Sequence, residues 1–352
     1  MSAMTAVPPE LAPDQLTALL RRAGVLAHGE VSDVVVETAR DTLISHIVRL
    51  RVTYAGDAGP SHVFFKARRD GGDPAWQEFG RKEALFYSTV AGAMPAGLLP
   101  RCYDAVAGSE HWHLLLEDLT VSHEPSADWP LPPPIERFNL VLDAHARFHA
   151  AWWNDARLGT LAGGFADDTG ALDRSLASFP KEVATFADRL GDRLSVERKR
   201  IYERLIAAAP RLCARYRSHA HMTIVHGDAH AWNALLPRDP GGSDVRLIDW
   251  DAARLGVASD DLAYMMATHF FPDWRRRHEQ ESLRRYHGIL VAQGVRDYSF
   301  DALADDYRLS ALWQIATPMW QANHGIPPWI WWNHLERTMA AVHDLGCLEL
   351  LD

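Results

Sequence analysis

The sequence predicts an α+β fold of two lobes, a small antiparallel β-rich lobe with one helix over residues 1–118 and a larger, mainly helical lobe over 119–352. Strand-like apolar stretches separated by turn residues dominate residues 30–118. Helical spacing of apolar residues dominates most of residues 180–220 and 260–350. The length of 352 residues suits one large domain or two lobes.

The first lobe is predicted to begin with a helix and to continue as a sheet. DQLTALLRRA, residues 14–23, has apolar positions at helical spacing. VSDVVVETA, SHIVRLRVTYAG and SHVFFKARRD predict three strands of an antiparallel meander. A helix follows in DPAWQEFGRKEALFYSTVAGAM, with Asp73-Pro74 at its start, and LLPRCYDAVAG and HWHLLLEDLT predict two more strands.

The second lobe is predicted to be helical with one small interruption. The proline-rich DWPLPPPIERF, residues 128–138, separates the strand-like patterns from the helical ones, and RFNLVLDAHARFHAAWW predicts the helix that follows. TIVHGD, ALLPRD and VRLIDWD are strand-like, and a Gly-Gly turn joins the last two. We therefore predict a short hairpin within the helical lobe.

Composition narrows the class of protein. The net charge of -10 is spread along the chain, whereas a nucleic-acid-binding protein carries a basic face. The three cysteines are far apart and form no zinc pattern, which indicates a reducing compartment. No apolar run reaches membrane-spanning length, and the first residues lack the features of a signal peptide. We expect a cytoplasmic monomer or homodimer that binds neither nucleic acid nor membrane.

Polar residues cluster at the ends of the strand-like pieces between residues 224 and 251. Asp228 and Asn233 are five positions apart in HGDAHAWN, and Asp249 follows sixteen positions later in LIDWD. Because a hairpin returns the chain, we expect Asn233 and Asp249 to lie side by side. An amide oxygen and a carboxylate are hard ligands that suit Mg²⁺, which also takes phosphate oxygens and water. Asp228 would then lie beside them, where it can orient a hydroxyl nucleophile.

This pattern resembles the aminoglycoside phosphotransferase and choline-kinase-like family, which has a protein-kinase-like fold. In protein kinases the matching stretches are the catalytic loop and the Asp-Phe-Gly metal site. The resemblance implies that Asp228 is the catalytic base and that Asn233 and Asp249 bind the metal. It places His230 where protein kinases carry a lysine facing the transferred phosphate, and it makes His226 the structural first residue of the loop.

The resemblance also implies nucleotide-binding residues in the first lobe. Lys66, one of only four lysines in the chain, lies in the strand VFFKARRD and would contact the α- and β-phosphates. Glu83 on the following helix would pair with it, and Glu78 is the second candidate. The hinge toward a purine would be formed by Glu117, Asp118 and Leu119.

One stretch departs from the family pattern. The loop over the phosphates corresponds to ARDTLISHIV, which contains no glycine. Ser45 and the backbone amides of residues 42–45 are the candidates for contacting a phosphate there. Downstream, DDLAYMM matches the family's Asp-Leu-Ala helix start, and Asp261 is expected to brace the catalytic loop.

The acceptor site is the least defined part of the sequence. The segment LWQIATPMWQANHGIPPWIWWNHLERTM contains five tryptophans, which pack in a helical core or form an aromatic wall for an acceptor. Acceptor contacts are predicted for Trp320, Asn323, His324 and Trp331 within this segment, and for Asp273 in FFPDWRRRHEQ at residues 270–280. Few acids lie in this segment, which fits poorly with a highly cationic aminoglycoside.

These patterns together predict a small-molecule kinase. The expected reaction is Mg²⁺-dependent transfer of the γ-phosphoryl group of ATP or GTP to a hydroxyl of an antibiotic or other small metabolite. The alternatives are a choline- or ethanolamine-like amine, a sugar or a steroid-like alcohol as acceptor. An alternative of another class is a nucleotide-binding regulator with a kinase-like fold and no turnover.

Overall fold

The computed structural model describes residues 6–159, 169–239 and 241–352. The chain forms two compact units, each built from two segments. The first comprises Met1–Pro125 and Ala234–Ala253, and the second comprises Ser126–Asn233 and Arg254–Asp352. Residues 234–253, which the sequence prediction placed in the helical lobe, therefore belong with the β-rich part of the chain. The predicted roles of residues 1–118 and 119–352 remain predictions.

The strands are short except for the first two. They are β1 Glu30–Asp41, β2 Ser45–Ala55, β3 His62–Arg68, β4 Cys102–Ala107, β5 Trp112–Glu117, β6 His123–Pro125, β7 Met222–Val225, β8 Ala234–Pro237, β9 Arg246–Leu247 and β10 Arg254–Val257.

Helices make up most of the second unit. They are α1 Pro13–Arg22, α2 Pro74–Thr89, α3 Ile135–Ala151, α4 Thr169–Leu190, α5 Val196–Leu212, α6 Ala214–Arg217, α7 Ser259–Ala263, α8 Pro272–Ala292, α9 Phe300–Trp313, α10 Ala316–Asn323 and α11 Pro328–Asp344. A π-helix, Tyr264–Thr268, directly follows α7.

The first unit is an antiparallel sheet with the strand order β1-β2-β3-β5-β4 and α2 inserted between β3 and β4. Side chains alternate across a strand. Val63 and Phe65 of β3 therefore enter an apolar core with Leu16 and Leu20 of α1. Lys66 projects from the other face of this central strand. The meander and its inserted helix confirm the fold predicted for this part of the chain.

The hairpin region is divided between two small sheets. β8 pairs with β9 and also with β6, and all three strands belong to the first unit. β7 instead pairs with β10 in the second unit. The sequence pattern identified the strand-like pieces but did not predict that β7 and β10 pair with each other, because their partners lie far apart in the chain.

The second unit has a helical core that includes α3, α8, α9 and α11. Its largest fully buried side chains include Trp152, Tyr202, Tyr286 and Tyr307. No helix within the described residues is long and apolar enough to cross a membrane.

Candidate functional site

Lys66 lies between two carboxylates of the first unit. Its Nζ is 2.6 Å from Glu83 Oε2 and 2.6 Å from Asp249 Oδ1. β2 and β5 flank the strand that carries Lys66, so its backbone is held on both sides. Glu78, the second candidate, forms an exposed ion pair with Arg81 on its own helix. The structure therefore brings Glu83, not Glu78, to the lysine.

The environment of Lys66 keeps the ammonium charged although it is only 8% exposed. Burial by itself would lower the pKa of Lys66, but the charges of Asp249 and Glu83 outweigh it and raise that pKa above its ordinary value. Burial raises the pKa of Glu83, and Lys66 opposes this shift. In the absence of a more negative ligand, Glu83 and Asp249 therefore neutralise the positive charge of Lys66.

The backbone around Asp249 is held in an unusual conformation. Asp249 has a φ of 67°, in the left-handed region that non-glycine residues seldom occupy. The next residue, Trp250, stacks on Phe86 of α2 with ring centroids 4.2 Å apart, and its Nε1 donates to Leu247 O at 3.2 Å. Strained backbone persists where the surroundings determine it, and such positions concentrate at functional sites. The packing of Trp250 on α2 thus directs the Asp249 carboxylate to Lys66.

The glycine-free loop between β1 and β2 is closed by its own side chains. Ser45 is fully buried and its Oγ is 3.1 Å from Thr42 Oγ1. The amides of Ile44 and Ser45 both donate to Thr42 Oγ1, and Arg69 Nη1 donates to Thr42 O. Of the amides expected to contact a phosphate, those of Ile44 and Ser45 are therefore already bonded. The phosphate contact of Ser45 remains a prediction.

The predicted hinge residues follow β5. Arg49 Nε and Thr120 N donate to the Asp118 carboxylate at 2.7 and 2.9 Å. Glu117 Oε2 accepts from the backbone amide of Arg101, and Leu119 O accepts from the backbone amide of His123. The side chains of Glu117 and Asp118 thus stiffen this turn, and purine recognition by its backbone remains a prediction.

Asp228 lies in the second unit, in the loop after β7. Tyr264 Oη donates to Asp228 Oδ1 at 2.6 Å, and Asn233 Nδ2 donates to Asp228 Oδ2 at 3.1 Å. His230 Nε2 is 3.5 Å from Oδ2, and the carboxylate side chain is 32% exposed. Two hydrogen bonds therefore orient the carboxylate while part of it stays open to a ligand.

The loop that carries Asp228 is bonded to α7 through Asp261. The backbone amides of His226 and Gly227 donate to the two oxygens of Asp261 at 2.7 and 2.9 Å, and His149 Nε2 is 3.0 Å from Oδ2. Burial alone would raise the pKa of Asp261, but the hydrogen bond and charge of His149 outweigh it and hold that pKa well below its usual range. The structure thus places Asp261 where the resemblance implied a brace.

Three residues near Asp228 were missed by the sequence analysis. They are Tyr264, His269 and His334. Their rings contact one another in sequence. The ring centroids of Tyr264 and His269 are 4.6 Å apart, and those of His269 and His334 are 4.7 Å apart. The tyrosine in DDLAYMM was the available signal, since it follows the helix that braces the loop. His334 had no signal because 106 positions, 334 minus 228, separate it from Asp228 in the chain.

The predicted acceptor residues are dispersed over other elements. Asp273 is 92% exposed at the side chain on α8. Asn323, the last residue of α10, donates from Nδ2 to Glu182. The ring of His324 stacks on that of Trp320, with 4.5 Å between the ring centroids. These contacts are structural in kind. An acceptor role for these four residues remains a prediction.

Trp331, the fifth predicted acceptor residue, belongs to the helical core and contacts Phe186 edge to face. It also lines a cavity of about 670 Å³ together with Trp329, Trp332, Arg189 and Arg193. The tryptophan-rich segment is therefore partly core, as the first alternative held, and partly the wall of a cavity.

The two residues predicted to hold a magnesium ion each present a hard oxygen donor, Asn233 in the second unit and Asp249 in the first. Asn233 Nδ2 donates to both the backbone oxygen and the carboxylate of Asp228, which leaves the amide Oδ1 directed elsewhere as an acceptor. Asp249 adds a carboxylate whose side chain is 41% exposed. Hard oxygen donors of this kind, few in number, are what Mg²⁺ takes when phosphate and water complete its shell. Within the described residues, no group of three or more His, Cys, Asp or Glu residues could hold a metal by itself.

Comparison with known proteins places these residues in a family. The sequence model of the ecdysteroid kinase-like family matches residues 74–296, a range that includes Glu83, Asp228, Asn233 and Asp249. No curated protein matches the chain.

Solved structures are similar in fold at low sequence identity. A microcompartment-associated aminopropanol kinase matches with a TM-score of 0.53 and 11% identity, over 93% of this chain and 96% of that one. A mutant aminoglycoside 2'-phosphotransferase-IIIa in complex with GDP matches with a TM-score of 0.52 and 12% identity, over 95% and 97% of the two chains. An ethanolamine kinase of Plasmodium vivax has a TM-score of 0.49 and 9% identity, over 88% and 81%.

These findings confirm the predicted kinase-like α+β fold. The family match covers more than half of the chain and extends from α2 into the segment after α8. The chain belongs to the ecdysteroid kinase-like family and, as a member of it, is a phosphotransferase that acts on hydroxyl groups.

Proposed function

We propose that the protein transfers the γ-phosphoryl group of ATP or GTP to a hydroxyl group of a small metabolite, such as an antibiotic or another secondary metabolite. The observation that carries the proposal is Lys66, held at 2.6 Å by both Glu83 and Asp249. A buried ammonium oriented by two carboxylates is suited to bind the α- and β-phosphates of a nucleotide. Glu83 restricts the lysine side chain, so less conformational entropy is lost when phosphate binds.

Asp228 serves the acceptor in this proposal. A carboxylate is too weak a base to remove a proton from an alcohol beforehand, so its first task is to accept a hydrogen bond from the hydroxyl and to orient it. As the bond between the acceptor oxygen and the γ-phosphorus forms, the bond from that phosphorus to the β,γ-bridging oxygen breaks. The acceptor proton then passes to Asp228 and on to solvent. Tyr264 and Asn233 hold the carboxylate in one orientation throughout.

Asn233 and Asp249 would hold Mg²⁺. When bound, the ion neutralises negative charge on the phosphate oxygens. The contribution of the chain is to present one amide oxygen and one carboxylate, and Lys66 limits the freedom of the Asp249 carboxylate. That Asn233 and Asp249 share one cation is part of the proposal.

A nucleotide-binding regulator is the second candidate. The closed β1–β2 loop, with Ser45 buried and the amides of Ile44 and Ser45 bonded to Thr42, favours it because phosphate contacts there would require the loop to open. A regulator would bind nucleotide without transferring phosphate to any acceptor.

A screen of acceptors separates the two candidates. The full chain is incubated with Mg²⁺ and either ATP or GTP, together with uncharged polyols, amino alcohols and hydroxylated antibiotics, and phosphorylated products are detected by mass spectrometry. We expect acceptor-dependent consumption of nucleotide and a phosphorylated product. Nucleotide binding without any phosphorylated product would contradict the proposal and favour the regulator.

Two variants on one helix provide a matched control. Glu83→Gln removes the charge that fixes Lys66, and we expect kcat to fall by at least about 10-fold. Glu78→Gln removes an exposed ion pair with Arg81, and we expect it to keep activity within about twofold. Equal activity of the two variants would show that the pairing of Lys66 with Glu83 has no part in turnover.

A further inference from the structure

A group of aromatic and histidine rings extends from Asp228 into the second unit. The ring of His230 is 5.3 Å from that of His269, and the ring of His269 is 4.7 Å from that of His334. Trp232 lies 5.6 Å from His269, so an indole borders the same group. The two inner rings are nearly buried, with His269 6% exposed and His334 7% exposed.

The tautomers of the inner histidines follow from their hydrogen bonds. His269 Nδ1 is 2.8 Å from the backbone oxygen of Tyr264, which can only accept, so Nδ1 carries the proton. His334 Nδ1 donates in the same way to Gln321 Oε1 at 2.9 Å. Burial lowers the pKa of His334 to about 4 and that of His269 well below its ordinary value, so both rings are neutral near pH 7. Each Nε2 is then an unprotonated acceptor.

Neither Nε2 has a hydrogen-bond partner among the described residues. The Nδ1 atom of His230 is buried and also lacks a partner, whereas the two Nε2 atoms are not fully buried. A buried polar atom without a hydrogen bond costs free energy, which native structures avoid unless water or a ligand supplies the partner. The two Nε2 atoms are thus accessible acceptors on neighbouring rings, and they suit a molecule that carries two hydrogen-bond donors.

The charges around the rings disfavour a cationic molecule. Arg337 donates to His269 O at 3.1 Å, and its charge contributes to the lowered pKa values of both histidines. Asp228 raises the pKa of His334 weakly, and the charges that act most on His269 are those of His334, His230 and Arg337. An ammonium group beside the two rings would therefore be repelled by the guanidinium of Arg337.

The local backbone explains how the group forms. Tyr264 and His269 bound the π-helix Tyr264–Thr268, in which backbone hydrogen bonds span five residues instead of four. This spacing brings residues five apart onto one face, so Tyr264 reaches Asp228 while His269 lies beside it. π-Helical turns inside helices are frequent at functional sites.

We propose that His269 and His334 bind the acceptor, and that their Nε2 atoms accept hydrogen bonds from hydroxyl groups of an uncharged molecule with at least two hydroxyls. The inference rests on the proposed function, because it assigns the acceptor of that reaction. The hydroxyl nearest Asp228 is phosphorylated, and a second hydroxyl is bound by the histidine pair.

The test uses the full chain with Mg²⁺ and ATP or GTP. The probes are uncharged polyols (cyclohexane-1,2-diol, glycerol and myo-inositol), amino alcohols (ethanolamine, choline and 1-amino-2-propanol) and kanamycin. The expected result is a kcat/KM for the best polyol at least 10-fold above that for any cationic probe. Cyclohexanol, which lacks the second hydroxyl, is expected to have a kcat/KM about 10- to 100-fold below that of the diol.

Variants at one position separate binding from folding. His334→Phe keeps a ring but removes the acceptor nitrogen, and we expect the polyol KM to rise about 10-fold while the nucleotide KM stays unchanged. His334→Gln, which offers an amide near the same place, is expected to recover part of the loss. The control is His343→Phe at an exposed position of the same helix, which is expected to leave both KM values unchanged.

Each outcome bears on the proposal. A higher kcat/KM for a cationic probe, or an unchanged polyol KM in His334→Phe, would overturn it while the phosphotransfer reaction stands. Loss of polyol binding in Trp329→Ala but not in His334→Phe would place the acceptor in the tryptophan-lined cavity instead. No product from any probe with either nucleotide would contradict the proposed function and, with it, this inference.

Discussion

At the scale of single residues, burial and charged neighbours together decide which groups are charged. Lys66 stays an ammonium because Asp249 and Glu83 surround it. His334 stays neutral because burial excludes its charge, and Arg337 and His230 add to this, whereas Asp228 acts weakly in the opposite direction. Both arrangements make a definite protonation state available near neutral pH, one for an anionic ligand and one for a hydroxyl.

The neutral state of His334 predicts a pH dependence of stability. Its folded-state pKa of about 4 lies below the ordinary value of 6.5. The neutral ring therefore contributes its full stabilisation of the folded state only above about pH 6.5. As the pH falls through 6.5, the unfolded chain binds a proton that the folded ring does not, and the free energy of unfolding falls. Between pH 7.5 and 5.5 we expect the wild type to lose about 1 kcal/mol more than His334→Phe. Urea denaturation at the two pH values measures the difference.

The comparison within each pH series controls for other groups. His145, whose pKa burial lowers to about 3, titrates in the same range but is present in both proteins. Parallel losses of unfolding free energy in wild type and His334→Phe would show that His334 is protonated alike in the folded and unfolded chains.

At the scale of elements, the position of the loop that carries Asp228 depends on α7, to which the loop is hydrogen-bonded. β7 and β10 pair, and α7 begins directly after β10. Asp261 of α7 then accepts from two consecutive amides of the loop after β7 and from His149 of α3. Three elements therefore converge on one carboxylate, and the position of Asp228 depends on all of them.

Asp261→Asn tests this dependence. The amide keeps one oxygen but places an NH₂ group against a donor, so we expect the free energy of unfolding to fall by about 3 kcal/mol and kcat to fall as well. Urea denaturation and steady-state kinetics of the full chain measure both. Asp188→Asn, at an exposed position of α4, is expected to stay within about 0.5 kcal/mol of the wild type. If Asp261→Asn changed the free energy of unfolding by no more than about 0.5 kcal/mol, the bracing role of Asp261 would be contradicted.

At the scale of the whole molecule, local patterns predicted more than distant contacts. The strands, the inserted helix and the spacing of Asp228, Asn233 and Asp249 could be predicted from the sequence because they depend on near neighbours in the chain. The grouping of residues 234–253 with the first unit was not, since it depends on pairing with β6.

The proposed acceptor site could not be predicted from the sequence for the same reason. His334 lies on α11 and joins His269 only through tertiary packing of the second unit. The tryptophans nearby were conspicuous in the sequence, yet Trp331 packs largely into the core because a large apolar side chain gains most there. Composition drew attention to the indoles, whereas the unpartnered nitrogens appear only in the folded chain.

The proposed Mg²⁺ requirement predicts how the intact protein responds to a chelator. The described residues hold no metal cluster of their own, so EDTA should leave the melting temperature of the nucleotide-free protein unchanged. Mg²⁺ with ATP at about 100 times its Kd is expected to raise Tm by about 3 °C, and EDTA is expected to remove most of this rise. Differential scanning calorimetry of the full chain measures both effects. A large loss of Tm in EDTA alone would indicate a structural metal instead.

The role of Asp228 is tested most directly by measuring turnover and nucleotide affinity in the same preparation of Asp228→Ala. We predict that kcat with the best acceptor falls by about 10²- to 10⁴-fold, while the Kd for Mg²⁺–nucleotide from calorimetry stays within about threefold of the wild-type value. A variant that keeps a near-normal kcat, or one that loses nucleotide binding together with turnover, would contradict the assignment of Asp228 to the acceptor hydroxyl.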